Sequence, residues 1–381
     1  MSKILFILVL LCATISNAQV LTPTPINSKF LNEERAYRVH LPPSYSDTLH
    51  AQKKYPVLLL LDGYYHFWYT INVMSFLSAN NVIPEFILVA VPNTDRTRDL
   101  TPTHSIMHYN GKEDEDFLKT SGGGDQFLNF INKELMPVID KNFNTMKLKV
   151  FVGHSFGGLT ATQSFLSNSS PFNAYISMDP SLWWDNNLCI EQLKAVKSLS
   201  NTKTWFMSGA NNSDVKIDTT STRKSLEMFD ELLQKQPKTL RSEFKIYEED
   251  DHNSVTLPSL YDGLRFTFNS YKITNAMKKD VTLFTTHFKQ LSEEWGEEFK
   301  PSQQLINDFG YYCLRQKELN NALAFFKLNV ERYPLAADVY DSIGECYRKM
   351  GNKELAIKNY KKSLELNPNN QNAAEMLKEI K

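Results

Sequence analysis

Residues 148–165 read LKVFVGHSFGGLTATQSF, and a strand, a sharp turn and a helix can be recognised in this run. The five residues 148–152 are apolar or β-branched except for one lysine and predict a buried strand, while 159–165 predict a helix. Between them stands the spacing Gly-x-Ser-x-Gly, centred on Ser155, which places a serine on a tight strand-to-helix turn. Glycines beside it let the neighbouring backbone approach without a Cβ clash. We therefore predict Ser155 as a nucleophile.

The surrounding chain fits the same architecture. From about residue 30 to residue 270, short apolar runs alternate with longer amphipathic runs, the pattern of a mostly parallel sheet covered by helices. The sequence thus predicts an α/β fold of the α/β-hydrolase type, with a helix at 126–142 and a long polar loop at 93–124 that is functional or mobile. The predicted strands span residues 36–41, 55–61, 86–92, 148–152, 174–178, 203–208 and 243–247.

A serine hydroxyl attacks an ester only when a base removes its proton. In α/β-hydrolases the catalytic residues follow one another as serine, acid and histidine, so the base lies beyond Ser155. Two histidines do, His252 and His287. His252 comes just after the last predicted strand, where a loop would carry it to the carboxyl edge of the sheet, whereas His287 lies in a helical region. We predict His252 as the base.

The acid that orients this histidine is less well defined by the sequence. It should follow the predicted strand at 203–208, and the first carboxylate there is Asp214. We choose Asp214, with a solvated loop carboxylate as the ordinary alternative for any single aspartate. The other candidates, in order, are Asp218, Asp179 and Asp185.

An acyl-transfer site also needs two backbone N–H groups that face the developing oxyanion. The residue after the nucleophile, Phe156, would supply one. The other should come from the turn that follows the predicted strand at 55–61, where Asp62-Gly63-Tyr64 forms a glycine-assisted turn. We predict the amide of Tyr64, with Gly63 as the second choice.

Beyond residue 280 the sequence becomes strand-poor and rich in Lys and Glu, and it repeats itself at an offset of 34 residues. Such a period, with small residues at tight helix crossings and a terminal proline, resembles the tetratricopeptide repeat. Two copies cover about 303–370, followed by a closing helix. Because about three repeats are needed for a free-standing array, these two should dock on something, with 281–298 as the connecting helix. The matched pairs are Gly310 with Gly344, Ala322 with Ala356, Phe326 with Tyr360 and Pro334 with Pro368.

The amino terminus carries Lys3, a short apolar run and a small-x-small cleavage motif that ends at Ala18, which predicts an export signal and a periplasmic or secreted protein. We divide the chain into a signal peptide at 1–18, a hydrolase domain at 25–275, a helical linker at 276–302 and the repeats at 303–381. The apolar run is too short to span a membrane.

The composition excludes several function classes. With 42 basic and 43 acidic side chains the net charge is −1, so the sequence predicts no nucleic-acid partner. Three cysteines remain after signal removal, with no Cys-x-x-Cys and no Cys/His cluster, so neither a disulfide framework nor a metal site is predicted. We expect chemistry that needs no cofactor.

Five separated motifs give the chain a family resemblance. They are VHLPPSY at 39–45, YPVLLLLDG at 55–63, RTRDLTP at 96–102, the turn around Ser155, and PSLWWD at 180–185. Together they resemble the putative-esterase family over about residues 25–270. That family includes siderophore, feruloyl and acetyl-xylan esterases, S-formylglutathione hydrolase and mycolyltransferases. The resemblance implies an α/β-hydrolase domain with Ser155 and His252 as nucleophile and base.

This chain departs from the family at one point that concerns the acid. Many members carry an acidic residue directly after a strand glycine, whereas Gly209 is followed here by Ala-Asn-Asn. The acid therefore stays open, and a Ser-His pair with weak acid support is an alternative.

Aromatic side chains cluster near the predicted site and suggest an aryl or sugar substrate. We name Trp183 and Trp184 as substrate-binding residues, and Arg96 as a contact for an anionic substrate, against the ordinary alternatives of core aromatics and a solvated arginine. The constellation favours hydrolysis of siderophore lactones or of feruloyl or acetyl esters, whether small or linked to a glycan. The alternatives are acyl transfer to an alcohol or sugar, and an adaptor that binds a protein through its repeats.

Overall fold

The computed structural model describes residues 19–23, 25–46, 53–167, 169–196, 199, 204–211, 219–236 and 240–380. The predicted export segment, 1–18, lies outside these residues, as do Asp214 and Asp218. Within the described part of the chain, no helix combines the length and apolarity needed to cross a membrane.

An eight-stranded sheet forms the centre of the fold, in the order β1-β4-β6-β5-β7-β8-β9-β10. The six strands from β6 to β10 in this order run parallel, while β4 pairs antiparallel with β6 and β1 antiparallel with β4. The mostly parallel sheet confirms the predicted fold class, and all seven predicted strands are present. The sheet strands are β1 (Gln19–Leu21), β4 (Arg38–Leu41), β5 (Tyr55–Leu60), β6 (Ile87–Ala90), β7 (Thr145–His154), β8 (Ala174–Met178), β9 (Thr204–Ala210) and β10 (Arg241–Tyr247), and a separate hairpin pairs β2 (Ile26–Ser28) with β3 (Glu33–Arg35).

Nine helices lie between and after these strands, up to residue 267. The predicted helix at 126–142 is present as α4 and α5, joined by a π-helical turn, Ile131–Leu135. Pro137, at the start of α5, lacks an N–H and cannot donate within a regular helix, which accounts for the wider turn. The helices are α1 (Gly63–Ala79), α2 (Arg96–Leu100), α3 (Glu115–Leu118), α4 (Gly124–Phe130), α5 (Met136–Asn142), α6 (Phe156–Leu166), α7 (Trp184–Ala195), α8 (Thr219–Leu233) and α9 (Thr256–Thr267).

Successive side chains of the parallel strands feed two separate apolar cores. Val57 and Leu59 of β5 point into one core, which the helices from α4 to α8 cover, and Leu58 and Leu60 point into the other, with α1 and α9. Every residue of β5 is buried. Burial on both faces explains why the strands have near-continuous apolar sequences rather than alternating ones.

The carboxyl-terminal part is all helical, as the 34-residue period predicts. In both repeats a glycine of the first helix faces an aromatic ring of the second: a Cβ on Gly310 would overlap the ring of Phe326, and one on Gly344 would lie 3.0 Å from the ring of Tyr360. The glycines therefore repeat because the helices cross too closely for a side chain. The helices are α10 (Val281–Trp295), α11 (Gln303–Arg315), α12 (Leu319–Arg332), α13 (Ala337–Lys349), α14 (Lys353–Leu366) and α15 (Gln371–Glu379).

The repeats dock on the hydrolase part through α10, as expected for an array of two. The second sheet core continues into the helical part without a break. Phe268, at the end of α9, stacks on Trp295, and Phe284 of α10 contacts Phe309 and Phe325 with ring centroids 5.4 and 5.6 Å away. The two repeats thus share a core with the sheet.

Candidate active site

Ser155 stands alone in a strained turn between β7 and α6. Its backbone has φ 58° and ψ −119°, a conformation that side-chain-bearing residues rarely adopt and that is typical of functional sites. The amide of Ser155 donates to the carbonyl oxygen of Met178 at 3.0 Å, and its own carbonyl accepts from Leu159 at 2.9 Å. A Cβ on Gly153 would overlap the carbonyl oxygen of Gly157, so the turn requires glycine there. This geometry is the predicted nucleophile turn.

His252 lies in the loop between β10 and α9, at the carboxyl edge of the sheet. Its Nδ1 is 2.6 Å from Oδ2 of Asp179, and 41% of its side chain is exposed. Asp179 follows β8 directly, is buried and has φ 40°. Its second oxygen, Oδ1, accepts a hydrogen bond from the amide of Ala210 at 3.2 Å. A buried carboxylate held in this way fixes the orientation of the imidazole.

The carboxylate on His252 is therefore not the one that we ranked first from the sequence. Asp214 and Asp218 lie outside the described residues, so their positions give no information. Asp185 accepts a hydrogen bond from the Thr103 hydroxyl at 2.6 Å. Asp179 is the candidate that meets His252, because β8 and β9 are adjacent and parallel and end at the same edge of the sheet.

The predicted oxyanion turn follows β5. Asp62 has φ 52°, and the amide of Gly63 donates to the carbonyl oxygen of Val91 at 3.0 Å, which removes Gly63 as a donor to a ligand. The amides of Tyr64 and Phe156 each belong to the first turn of a helix, α1 and α6. Amides in a first helical turn have no intrahelical acceptor and lie at the positive end of the helix dipole. Both predicted donors are thus of the type that binds an oxyanion.

Arg96 does not have the role that we predicted for it. Its Nε and Nη2 donate to the two oxygens of Asp62 at 2.7 and 3.1 Å, and Asn93 donates to the same carboxylate at 2.5 Å. Burial alone would raise the pKa of Asp62, but the Arg96 ion pair outweighs it and lowers that pKa. Arg96 also reaches the carbonyl oxygen of His154 at 3.4 Å and lies over the ring of Phe156. An arginine engaged in this way ties the oxyanion turn to the nucleophile turn.

The two predicted tryptophans occupy different environments. Trp184 is fully buried and donates through its indole N–H to the Thr103 hydroxyl at 3.1 Å, so it is a core residue and cannot contact a substrate. Trp183 is half-buried, and its ring centroid lies 6.2 Å from that of Phe156. Only Trp183 keeps the predicted position beside the site.

An aromatic wall continues from Trp183 into the long loop. Phe117 of α3 stacks nearly parallel on Phe156, with 6.2 Å between the centroids and 16° between the planes, and it is 48% exposed. His108 and Tyr109 lie 5.6 and 5.8 Å from Trp183. Sequence reasoning missed Phe117, although an exposed-region aromatic in a long loop was the available signal. The wall is defined by Phe117, Phe156, Trp183, His108 and Tyr109.

Further exposed aromatics follow the oxyanion turn on α1. Tyr64, Tyr65 and Trp68 are mostly exposed, and the Arg38 guanidinium lies 4.9 Å from the ring centroid of Tyr64. Among the described residues, no group of three His, Cys, Asp or Glu side chains could hold a metal ion. The described side chains around Ser155 can therefore supply a nucleophile, a base, an acid, oxyanion donors and planar apolar surface.

Comparisons with known proteins agree with this geometry. The family model described as "Putative esterase" matches residues 28–254, and a tetratricopeptide repeat model matches residues 337–370. The chain is 27% identical over 225 residues to a siderophore enterobactin esterase of Emericella nidulans, which covers 48% of this chain and 71% of the relative. It is 25% identical over 252 residues to the ferri-bacillibactin esterase BesA of Bacillus subtilis, covering 62% and 86%.

A shorter match, 38% identical over 84 residues, links the chain to a siderophore triacetylfusarinine C esterase of Aspergillus fumigatus and spans 22% of this chain and 28% of that relative. Among solved structures, an IroE-like serine hydrolase from Shewanella oneidensis is 31% identical with a TM-score of 0.70, and the match covers 83% of this chain and 99% of that one. The chain therefore belongs to the putative-esterase family and is a carboxylic ester hydrolase with carboxyl-terminal tetratricopeptide sequence.

Proposed function

We propose that the chain hydrolyses esters through an acyl-enzyme on Ser155, with His252 as the base and Asp179 as the acid. One observation carries the proposal: the loop after β10 presents His252, bound to the buried Asp179, at the sheet edge where the strained turn presents Ser155. In a serine hydrolase these three side chains divide the work of attack, proton transfer and orientation among them.

The chemistry follows in two halves. His252 Nε2 takes the proton of the Ser155 hydroxyl while Oγ attacks the ester carbonyl carbon, and the amides of Phe156 and Tyr64 donate to the oxyanion. Collapse breaks the bond to the alcohol oxygen, which takes the proton back from His252. Water then repeats the sequence on the acyl-enzyme and releases the acid. Asp179 keeps the proton on Nδ1 of the base throughout, so that Nε2 is free to accept.

For the substrate, we propose a siderophore lactone. Three relatives carry names of siderophore esterases, and the exposure of His252 supports a site open to a bulky ester rather than a closed acetyl pocket. The exposed face of Phe117 and the adjoining Trp183 offer planar apolar surface that suits an aryl group such as a catecholate. Export is part of the same proposal and rests on the sequence of residues 1–18.

The test compares kcat/KM for a catecholate trilactone with kcat/KM for p-nitrophenyl acetate and a feruloyl ester, with Ser155→Ala as the control. We expect a preference for the trilactone of at least about tenfold, and loss of all three activities in the control. Equal turnover of acetate and trilactone would remove the siderophore assignment.

The same assay separates the alternatives that the sequence left open. A product ester formed with an added alcohol or sugar, in place of free acid, would support acyl transfer. Activity that Ser155→Ala does not reduce would point instead to a partner-binding adaptor.

A further inference from the structure

His154 fills the variable position directly before the nucleophile, and the chemistry above gives it no task. Its ring is 6% exposed, and its Nε2 lies 2.6 Å from the backbone carbonyl oxygen of His252. The two imidazole rings also contact each other, with centroids 4.5 Å apart. A single hydrogen bond thus joins the base's own backbone to the residue next to Ser155.

The acceptor fixes the protonation of His154. Because a carbonyl oxygen can only accept, Nε2 must carry a proton. Burial, together with the nearby His252 and His66 imidazoles, lowers the pKa of His154 to about 3, although the His252 carbonyl and Asp62 act in the opposite direction. Near neutral pH the ring is therefore neutral, with its only proton on Nε2.

Other contacts hold the loop on either side of the base. Asn211 donates through its side chain to the carbonyl of Glu248 and through its amide to that of Asp250, both at 2.9 Å. Asp251 accepts from the amides of the two residues after His252, both at 2.8 Å. His154, by contrast, grips the carbonyl of residue 252 itself.

From this geometry we infer that His154 is a positioning residue for the base: its Nε2–H fixes the backbone of His252 relative to Ser155, while Asp179 fixes the ring. The inference rests on the proposed function of His252. Two bonds divide the task because Asp179 limits ring rotation but leaves the loop free to shift. A displacement of the base by about 1 Å can cost on the order of 10²-fold in rate.

The discriminating pair of variants is His154→Leu, which removes the donor at similar volume, and His154→Gln, whose amide nitrogen can donate from a comparable reach. With an activated ester, we expect His154→Leu to lower kcat about 10- to 100-fold with KM changed less than about twofold, and His154→Gln to recover most of the loss. Equal kcat in the two folded variants, or a loss confined to KM, overturns the inference.

A double-mutant cycle adds a readout that a merely structural role would not move. Because His154 and Asp179 act on the same imidazole, the effects of His154→Leu and Asp179→Asn on kcat should be clearly less than multiplicative. Multiplicative effects would mean that His154 acts elsewhere, and would overturn the inference.

The unmodified chain provides a test that does not depend on any variant's folding with a leucine. In ¹⁵N-histidine-labelled protein, the resonances absent from His154→Gln should show a proton on Nε2 and no titration between about pH 5 and pH 9. A proton on Nδ1, or titration in that range, overturns the inference. Failure of the proposed function looks different: Ser155→Ala would keep its activity while the His154 tautomer stays as expected.

Discussion

Replacing Asp179 with asparagine should disable the base while leaving the fold intact. The amide of Ala210 donates to Oδ1 of Asp179, so the asparagine oxygen should take that place and its NH₂ group should face His252. Nδ1 of the imidazole, 2.6 Å from the replaced oxygen, must then accept, which moves its proton to Nε2. An Nε2–H cannot take the proton of Ser155. The same kind of change in a chymotrypsin-type triad lowers kcat about 10⁴-fold, or about 5.5 kcal/mol of barrier.

For this chain we expect a fall in kcat of about 10³- to 10⁴-fold, because the exposed half of the His252 ring leaves water able to assist some turnover. The assay is steady-state hydrolysis of p-nitrophenyl acetate at pH 7.5, with thermal melting to confirm folding. Asp214→Asn is the matched control and should keep kcat within about twofold. The reasoning would be refuted by an Asp179→Asn enzyme that retains more than a tenth of wild-type kcat, or by an equal loss in the control.

Three further predictions concern the oxyanion turn, the aromatic wall and acid stability. Arg96→Gln should lower kcat about 10- to 100-fold with little change in KM, since Asp62 loses its bidentate partner, and an unchanged kcat would contradict this. Phe117→Ala should reduce kcat/KM for aryl esters about three- to tenfold but spare acetate, and an equal effect on both substrates would refute the wall. Hydrogen bonds and ion pairs with Arg98 and Lys53 lower the pKa values of Glu33 and Glu85, respectively, outweighing burial. Their stabilisation is therefore complete above their ordinary pKa of 4.5 and is lost as the pH falls through the lowered values. The melting temperature should be flat above about pH 6 and fall below about pH 4.5, and a flat profile down to pH 3 would count against these pairs.

The parallel strands could be predicted because their physical requirement is written locally. A strand covered on both faces must be apolar at nearly every position, and β5 and β8 are buried throughout. The edge strand β1 offers no such signal: its three residues are mostly exposed and pair only with β4, some twenty residues away. The hairpin of β2 and β3 was missed for the same reason.

The acid partner could not be decided from the sequence because two adjacent strands end at the same place. β8 and β9 run parallel in register from Ala174 with Thr204 onward, so a carboxylate after either strand can approach His252. Asp179 does so from the left-handed region at φ 40°, a property of the folded backbone that nothing in the surrounding residues announces. The order of candidates was therefore wrong, although Asp179 was among them.

Trp184 and Arg96 show the same limit for substrate contacts. A tryptophan near a nucleophile turn can line a pocket or fill the core, and only the path of the chain into α7, with three left-handed residues after Trp184, turned the indole inward. An arginine in a polar loop can likewise meet a substrate or a buried carboxylate. Here Asp62 took it.

Covalent trapping of the nucleophile tests the central claim most directly. Purified protein is treated with a fluorophosphonate, digested, and the adduct is located by mass spectrometry, with Ser155→Ala and Asp179→Asn in parallel. We predict one adduct per chain, on Ser155, no adduct in Ser155→Ala, and labelling slowed at least about 100-fold in Asp179→Asn. An adduct on another residue, or labelling that Ser155→Ala leaves unchanged, would contradict an acyl-enzyme mechanism at Ser155.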